Sequence, residues 1–301
     1  YMMTNSEPWD NLKYDEKGVD EVRRKFFGTL YNTYSFFSGY ANVDAFDNET
    51  AQVPVAERPE IDRWVLSVLN TLVKGVQKEM ESYDPTRAGR LIEDFVNNDL
   101  SNWYVRLNRK RFWGKEMSQD KLAAYQTLYT CLTTVAKLLA PFAPFFADQL
   151  FCDLGAAQLE NTTSVHLAKF PVADESLIDR ELEERMGMAQ KITSMVHALR
   201  KKVNIAVRQP LQAIMIPAVD DEQRRHIEAV KDLILSEVNV KELRFVEGSG
   251  VLVKKVKCNF RTMGKKFGKL MKGIAAAMSA LDQDQIAELE TNGKIAVEVE
   301  G

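Results

Sequence analysis

Asp84-Pro-Thr-Arg-Ala-Gly-Arg-Leu-Ile-Glu-Asp-Phe-Val-Asn-Asn-Asp-Leu-Ser-Asn-Trp-Tyr-Val-Arg-Leu-Asn-Arg-Lys-Arg-Phe-Trp113 has the pattern of a long amphipathic helix. An oxygen-bearing cap followed by proline opens a helix, because the first helical amide has no intrahelical acceptor and its loss costs nothing. Leu91, Phe95, Trp103, Tyr104 and Leu107 carry that helix to about Trp113, and Asn97-Asn98-Asp99 predicts a bend within it.

The same three- and four-residue spacing recurs on both sides of this segment. Upstream, Phe26, Phe27, Leu30, Tyr31, Tyr34 and Phe37 form one face of a helix. A linker with two prolines, Asp47 to Pro59, separates it from a stripe running from Ile61 through Val65, Leu69, Leu72 and Val76 to Met80. Downstream, Ser118 caps a helix bearing Leu122, Tyr125, Leu128, Leu132, Val135 and Leu139, stopped at Pro141. A short helix from Pro144 ends near Gly155. Four or five amphipathic helices with short connections predict an antiparallel bundle. After Pro171 the texture changes to a helix over Leu177–Val203, strand-like Leu211–Ile216, a helix over Glu222–Leu235, and strand-like Val240–Val246 and Val251–Val256. Helices over Lys265–Met278 and Gln283–Glu290 and a strand over Lys294–Val299 follow. The expected fold is therefore mainly α, an antiparallel helical bundle followed by a small α/β domain. The expected divisions are 1–17, 18–170 and 171–301, with the boundary between Leu167 and Asp174.

The 301 residues suit two domains, and 45% hydrophobic with 28% charged residues is a balance with a real core. Three scattered cysteines, Cys131, Cys152 and Cys258, make no C-x-x-C pair and fit a reducing compartment. No run reaches the ~18–20 apolar residues of a membrane helix, so no membrane partner is expected. Tyr1 and the strand-like end at Glu300 read as interruptions of a longer polypeptide. His166, His197 and His226 lie far apart without metal-ligand spacing, and no metal site is expected. Gly264-Lys-Lys-Phe-Gly268-Lys269 falls short of a phosphate loop, having three residues between its glycines and Leu270 after the lysine. No catalytic residue is assigned.

Charge placement is more informative than the net charge of −3. Ser101 to Lys115 holds no acid, while Arg106, Arg109, Lys110, Arg111 and Lys115 fall among Trp103, Tyr104, Phe112 and Trp113. At helical spacing Arg106, Arg109, Lys110 and Trp113 share a side. Guanidinium groups fork onto phosphate oxygens and aromatic faces stack on unpaired bases; the alternative is a solvated helix face with Trp103 in the core. Val251 to Lys272 is a second acid-free strip, with Lys254, Lys255, Lys257, Arg261, Lys265, Lys266, Lys269 and Lys272, read as a phosphate-facing surface or a solvated face. Lys201 and Lys202, beside Arg200 and Arg208, form a third group that also suits a helix C-terminus.

These residues carry a resemblance. Arg24-Lys-Phe-Phe-Gly-Thr-Leu-Tyr-Asn-Thr-Tyr-Ser-Phe-Phe37, Leu100-Ser-Asn-Trp-Tyr-Val-Arg106 with Arg109-Lys-Arg-Phe-Trp113, and Ser164-Val-His-Leu167 with Phe170-Pro171 resemble the anticodon-binding bundle of isoleucyl-tRNA synthetases. Val207-Arg-Gln-Pro-Leu211, Asn239-Val-Lys-Glu-Leu243 and Asn259-Phe-Arg-Thr-Met-Gly-Lys-Lys-Phe-Gly-Lys269 resemble the segment that follows it. The motifs run in family order over almost the whole chain, and the longer, eukaryote-like branch fits best. The resemblance implies a cytoplasmic isoleucine–tRNA ligase that uses ATP and magnesium. Its His-x-Gly-His and Lys-Met-Ser-Lys-Ser elements are not in this sequence, and Lys115-Glu-Met117-Ser118-Gln119 is a decoy without the second lysine. The catalytic and editing domains of the same polypeptide are therefore expected upstream, and this segment alone should be inactive. The implied partner is tRNA for isoleucine. Alternatives are the same region of a valine or leucine enzyme, or a helical protein-interaction scaffold.

Overall fold

The computed structural model describes residues 9–11, 14–217, 221–246 and 255–297; at positions 261, 262, 265, 266, 269, 287, 290 and 291 it describes the backbone alone. By packing, the chain divides into two compact units that meet between Gln190 and Lys191.

The first unit is the bundle. Helix α1 is continuous over residues 16–43, with α-helical Glu16–Val22 and Gly28–Val43 joined by a π-helical turn at Arg23–Phe27. Helix α2 spans Glu60–Glu81. Helix α3 begins at Pro85, where the Asp84 carboxylate accepts from the Arg87 amide at 2.9 Å. It runs to Phe112 as α-helical Pro85–Asp94, a π-helical stretch Phe95–Val105 and α-helical Arg106–Phe112. The expected bend at Asn97-Asn98-Asp99 is thus a widening of the helix rather than a break. Helix α4, Gln119–Leu139, is capped by the Ser118 hydroxyl, which accepts from the Lys121 amide. Helix α5, Pro144–Asp153, and the single turn α6, Ala156–Leu159, follow, with Gly155 between them at φ 69°.

The turn at 82–84 folds α3 back along α2, and α4 packs on both. The buried stripe of α2 (Trp64, Val65, Leu69, Leu72, Val76) meets Ile92, Phe95 and Leu100 of α3 and Leu128, Leu132 and Val135 of α4 in the core. Rings from three helices and the linker close one end. Tyr125 stacks on Phe46 at 4.8 Å and meets Phe112 edge-on at 4.9 Å.

Helix α7, Arg180–Lys202, belongs to both units. Residues 171–190, expected in the second domain, pack on α2 instead. Glu183 accepts from Ser67 at 2.5 Å and Thr71 at 2.7 Å, the Asp179 amide donates to Ser67, and Lys74 pairs with Glu175. These acids answer the hydroxyls and cation of α2, so the division of packing falls later than the composition shift at Pro171.

In the second unit, strands β1 (Leu211–Pro217) and β2 (Val240–Val246) pair in parallel from Leu211 opposite Val240 to Pro217 opposite Val246. Helices α8 (Asp221–Ala229) and α9 (Lys231–Val238) connect them, one expected helix having become two. Ile227, Val230, Ile234, Val238 and Leu243 form the core. Helices α10 (Phe260–Phe267), α11 (Met271–Ser279) and α12 (Gln283–Asn292) follow. Two expected strands are not found where they are described. Residues 255 and 256 of the first, and 294–297 of the last, are irregular, and the remainder of each lies outside the described residues. Alternation decides which side chains share a face, but a strand needs a neighbour for its backbone groups.

Candidate nucleic-acid interface

The acid-free end of α3 splits into two faces. Tyr104, Asn108 and Phe112 are buried, while Arg106, Arg109, Lys110 and Trp113 are exposed on the opposite side. This is the division that three- and four-residue spacing produces. Trp113 ends the helix with its ring 58% exposed and its amide donating to the Lys110 carbonyl. Trp103 is in the core, and Arg106 lies over its ring at 5.7 Å while its Nε donates to the Asn102 carbonyl. Arg109, Lys110 and Lys115 have no hydrogen-bonding or ion-pair partner among the described residues.

Arg111 departs from the expectation of a phosphate contact. It faces inward, 14% exposed, and grips the fully buried Asp62 with a two-pronged pair at 2.6 and 2.9 Å. It also reaches the Asp120 carboxylate at 2.8 Å and the Asp120 carbonyl at 2.8 Å. Tyr104 donates to Asp62 at 2.8 Å, and Asn108 accepts from Arg111 at 3.0 Å. Burial alone would lower the Arg111 pKa, but its bonds to Asp62 raise it above the ordinary guanidinium value. The signal was in the spacing: position 111 lies one residue off the face of 106, 109, 110 and 113, next to the apolar Phe112. Its guanidinium is thus committed to Asp62 and Asp120, the second of which stays half exposed.

The loop after Trp113 is tied down by a residue that sequence reading missed. Lys121, almost wholly buried, donates to the Gly114 carbonyl at 2.6 Å and pairs with Asp44 at 2.5 Å. Burial would raise the Asp44 pKa, yet the bonds from Lys121 and Tyr125 hold it below its usual range. A lysine three residues past a helix cap reads as solvent-facing, and only the carboxylate from α1's far end explains its burial.

The other cationic groups are less completely described. Lys201 and Lys202 end α7, exposed and without a partner among the described residues, whereas Arg200 is buried and caps the carbonyls of Ala206, Gln209, Val238 and Asn239. In the second strip Lys255, Lys257 and Lys272 are exposed. Arg261, Lys265 and Lys266 belong to α10 and Lys269 to the 3-10 turn Gly268–Leu270, and Lys254 lies outside the described residues. Among the described residues no three His, Cys, Asp or Glu side chains gather as a metal would need, and no helix is long and apolar enough to cross a membrane.

The model of the anticodon-binding domain of tRNA ligases matches residues 62–215, from the buried Asp62 to the middle of β1. The chain belongs to the tRNA ligase anticodon-binding family. It is similar to isoleucine–tRNA ligases of Bacteroides thetaiotaomicron (67% identity, 100% of this chain, 26% of the relative), Porphyromonas gingivalis (60%, 100% and 26%) and Clostridium novyi (39%, 100% and 29%). The chain thus spans about a quarter of the length of these curated relatives. Within this anticodon-binding region the outward face of α3 and the Asp62–Arg111 clamp both fall inside the matched span.

Proposed function

We propose that this chain is the tRNA-binding part of an isoleucine–tRNA ligase, holding the anticodon stem-loop while other domains of the same polypeptide attach isoleucine using ATP and magnesium. The observation that carries the reading is the exposed set Arg109, Lys110 and Trp113, in which neither cation has a hydrogen-bonding or ion-pair partner among the described residues. Arg106, Arg109 and Lys110 take phosphate oxygens, and Trp113 stacks on an unpaired base. Lys201 and Lys202, and the strip of Lys254, Lys255, Arg261, Lys265, Lys266 and Lys269, make further backbone contacts. No step of the chemistry is assigned to this segment. The whole enzyme works in the cytoplasm with tRNA for isoleucine as its partner. The test is binding of isoleucine tRNA, followed by fluorescence anisotropy, to the chain and to Arg109→Glu/Lys110→Glu. The reading requires affinity to fall by about tenfold or more, given about 1.5–3 kcal/mol for charge-assisted contacts; unchanged affinity refutes this face.

A further inference from the structure

A pocket of about 320 Å³ opens between α2, α4 and the segment 171–177, within the size range of small-molecule sites. Its lining is mixed: Val55, Leu66, Leu69, Val73 and Leu177 are apolar, while Asn70, Thr130 and Thr134 add polar groups. Arg58 also lines it, a guanidinium in a residue only 7% exposed.

Arg58 is bonded to neutral oxygens alone: Nε donates to the Val53 carbonyl at 3.0 Å, one terminal nitrogen to Thr127 at 2.9 Å, and the other weakly to Gln126 at 3.4 Å. A guanidinium has five N–H donors, so two have no acceptor among the described residues. Asp62, whose field acts on Arg58, is committed to Arg111 and Tyr104. Burial accordingly lowers the Arg58 pKa, Asp62 opposing the change. A buried cation without a direct counter-charge is costly, and an anion that completes its bonding is favoured. The other lining cation, Lys137, already pairs with Glu160.

We propose that this pocket binds a small carboxylate with a branched aliphatic body, its two oxygens on the free Arg58 donors and its body against Leu66, Leu69 and Val73. A planar fork matches a carboxylate, and no acidic residue lines the pocket to receive an ammonium, which disfavours the free amino acids. This site is independent of the RNA reading.

Titration calorimetry of the 301-residue chain with 4-methylpentanoate, leucine, isoleucine and inorganic phosphate distinguishes the cases. Saturable 4-methylpentanoate binding is expected, weakened about tenfold or more in Arg58→Met and in Thr134→Phe, which narrows the pocket without touching Arg58. If Arg58→Met does not fold, Thr134→Phe alone carries the comparison. No saturation by about 10 mM, equal affinity for leucine or isoleucine, tighter binding of phosphate, or undiminished binding in Thr134→Phe each overturns the proposal.

Discussion

Arg109, Lys110 and Arg111 are consecutive cations with opposite fates, and the difference is carried by one buried carboxylate. Asp62 is fully buried and its oxygens are met by Arg111 and Tyr104. Removing one member of such a pair strands the other, typically at 3–5 kcal/mol. Arg111→Ala should therefore destabilise the fold by about that amount, read as a lower urea midpoint with the slope unchanged. A change below about 1 kcal/mol would contradict the clamp. Trp113→Ala should behave in reverse. Its ring is mostly in solvent, so stability should hold while tRNA affinity falls by about 1–3 kcal/mol, the usual worth of one stacked base. Equal affinity of Trp113→Ala and the parent for tRNA would leave the ring without a role in binding.

At the scale of elements, Asp99 lies within the π-helical stretch Phe95–Val105 of α3, and its carboxylate accepts from Gln190 of α7 at 2.9 Å. Burial pushes the Asp99 pKa up to about 6, with Asp94 and Glu183 adding to the shift and the Gln190 bond opposing it. The unfolded chain releases this proton near pH 4 and the folded chain near 6, so Asp99 lowers stability progressively across that window and no further above it. Asp99→Asn, which keeps the acceptor for Gln190, should match the parent below pH 4 and be the more stable of the two from pH 6 upward. Thermal melts across pH 3.5–7.5 (a range chosen to bracket that ~4–6 window) check the sign; a constant difference at every pH would contradict it. Much of this level was legible beforehand. Asp84-Pro85 and Ser118 mark helix starts because capping chemistry is local. The π-helical widening was not, since the spacing of Leu100, Trp103 and Tyr104 fits an α-helix almost as well. The inward turn of Arg111 and the burial of Lys121 were also missed, because their carboxylates come from α1, α2 and the start of α4 and no local pattern announces them.

For the whole molecule, near-balance of charge hides a local surplus. The chain is formally −3, yet the outward face of α3 presents Arg106, Arg109 and Lys110, with Lys115 exposed in the loop that follows. Under the proposed function, grip on RNA is expected to depend on phosphates and released counterions, with selectivity added by a base stacked on Trp113. The chain alone should bind tRNA without charging it, a division of labour checked by assaying isoleucylation before and after supplying the rest of the polypeptide. The most direct test of the central claim is the affinity for isoleucine tRNA across a series of salt concentrations, for the parent and for Arg109→Glu/Lys110→Glu. The account predicts affinity that falls steeply as salt rises, and a slope reduced by about 1.5–2 in the variant, one step per lost phosphate. Binding insensitive to salt, or identical slopes for the two proteins, would contradict it.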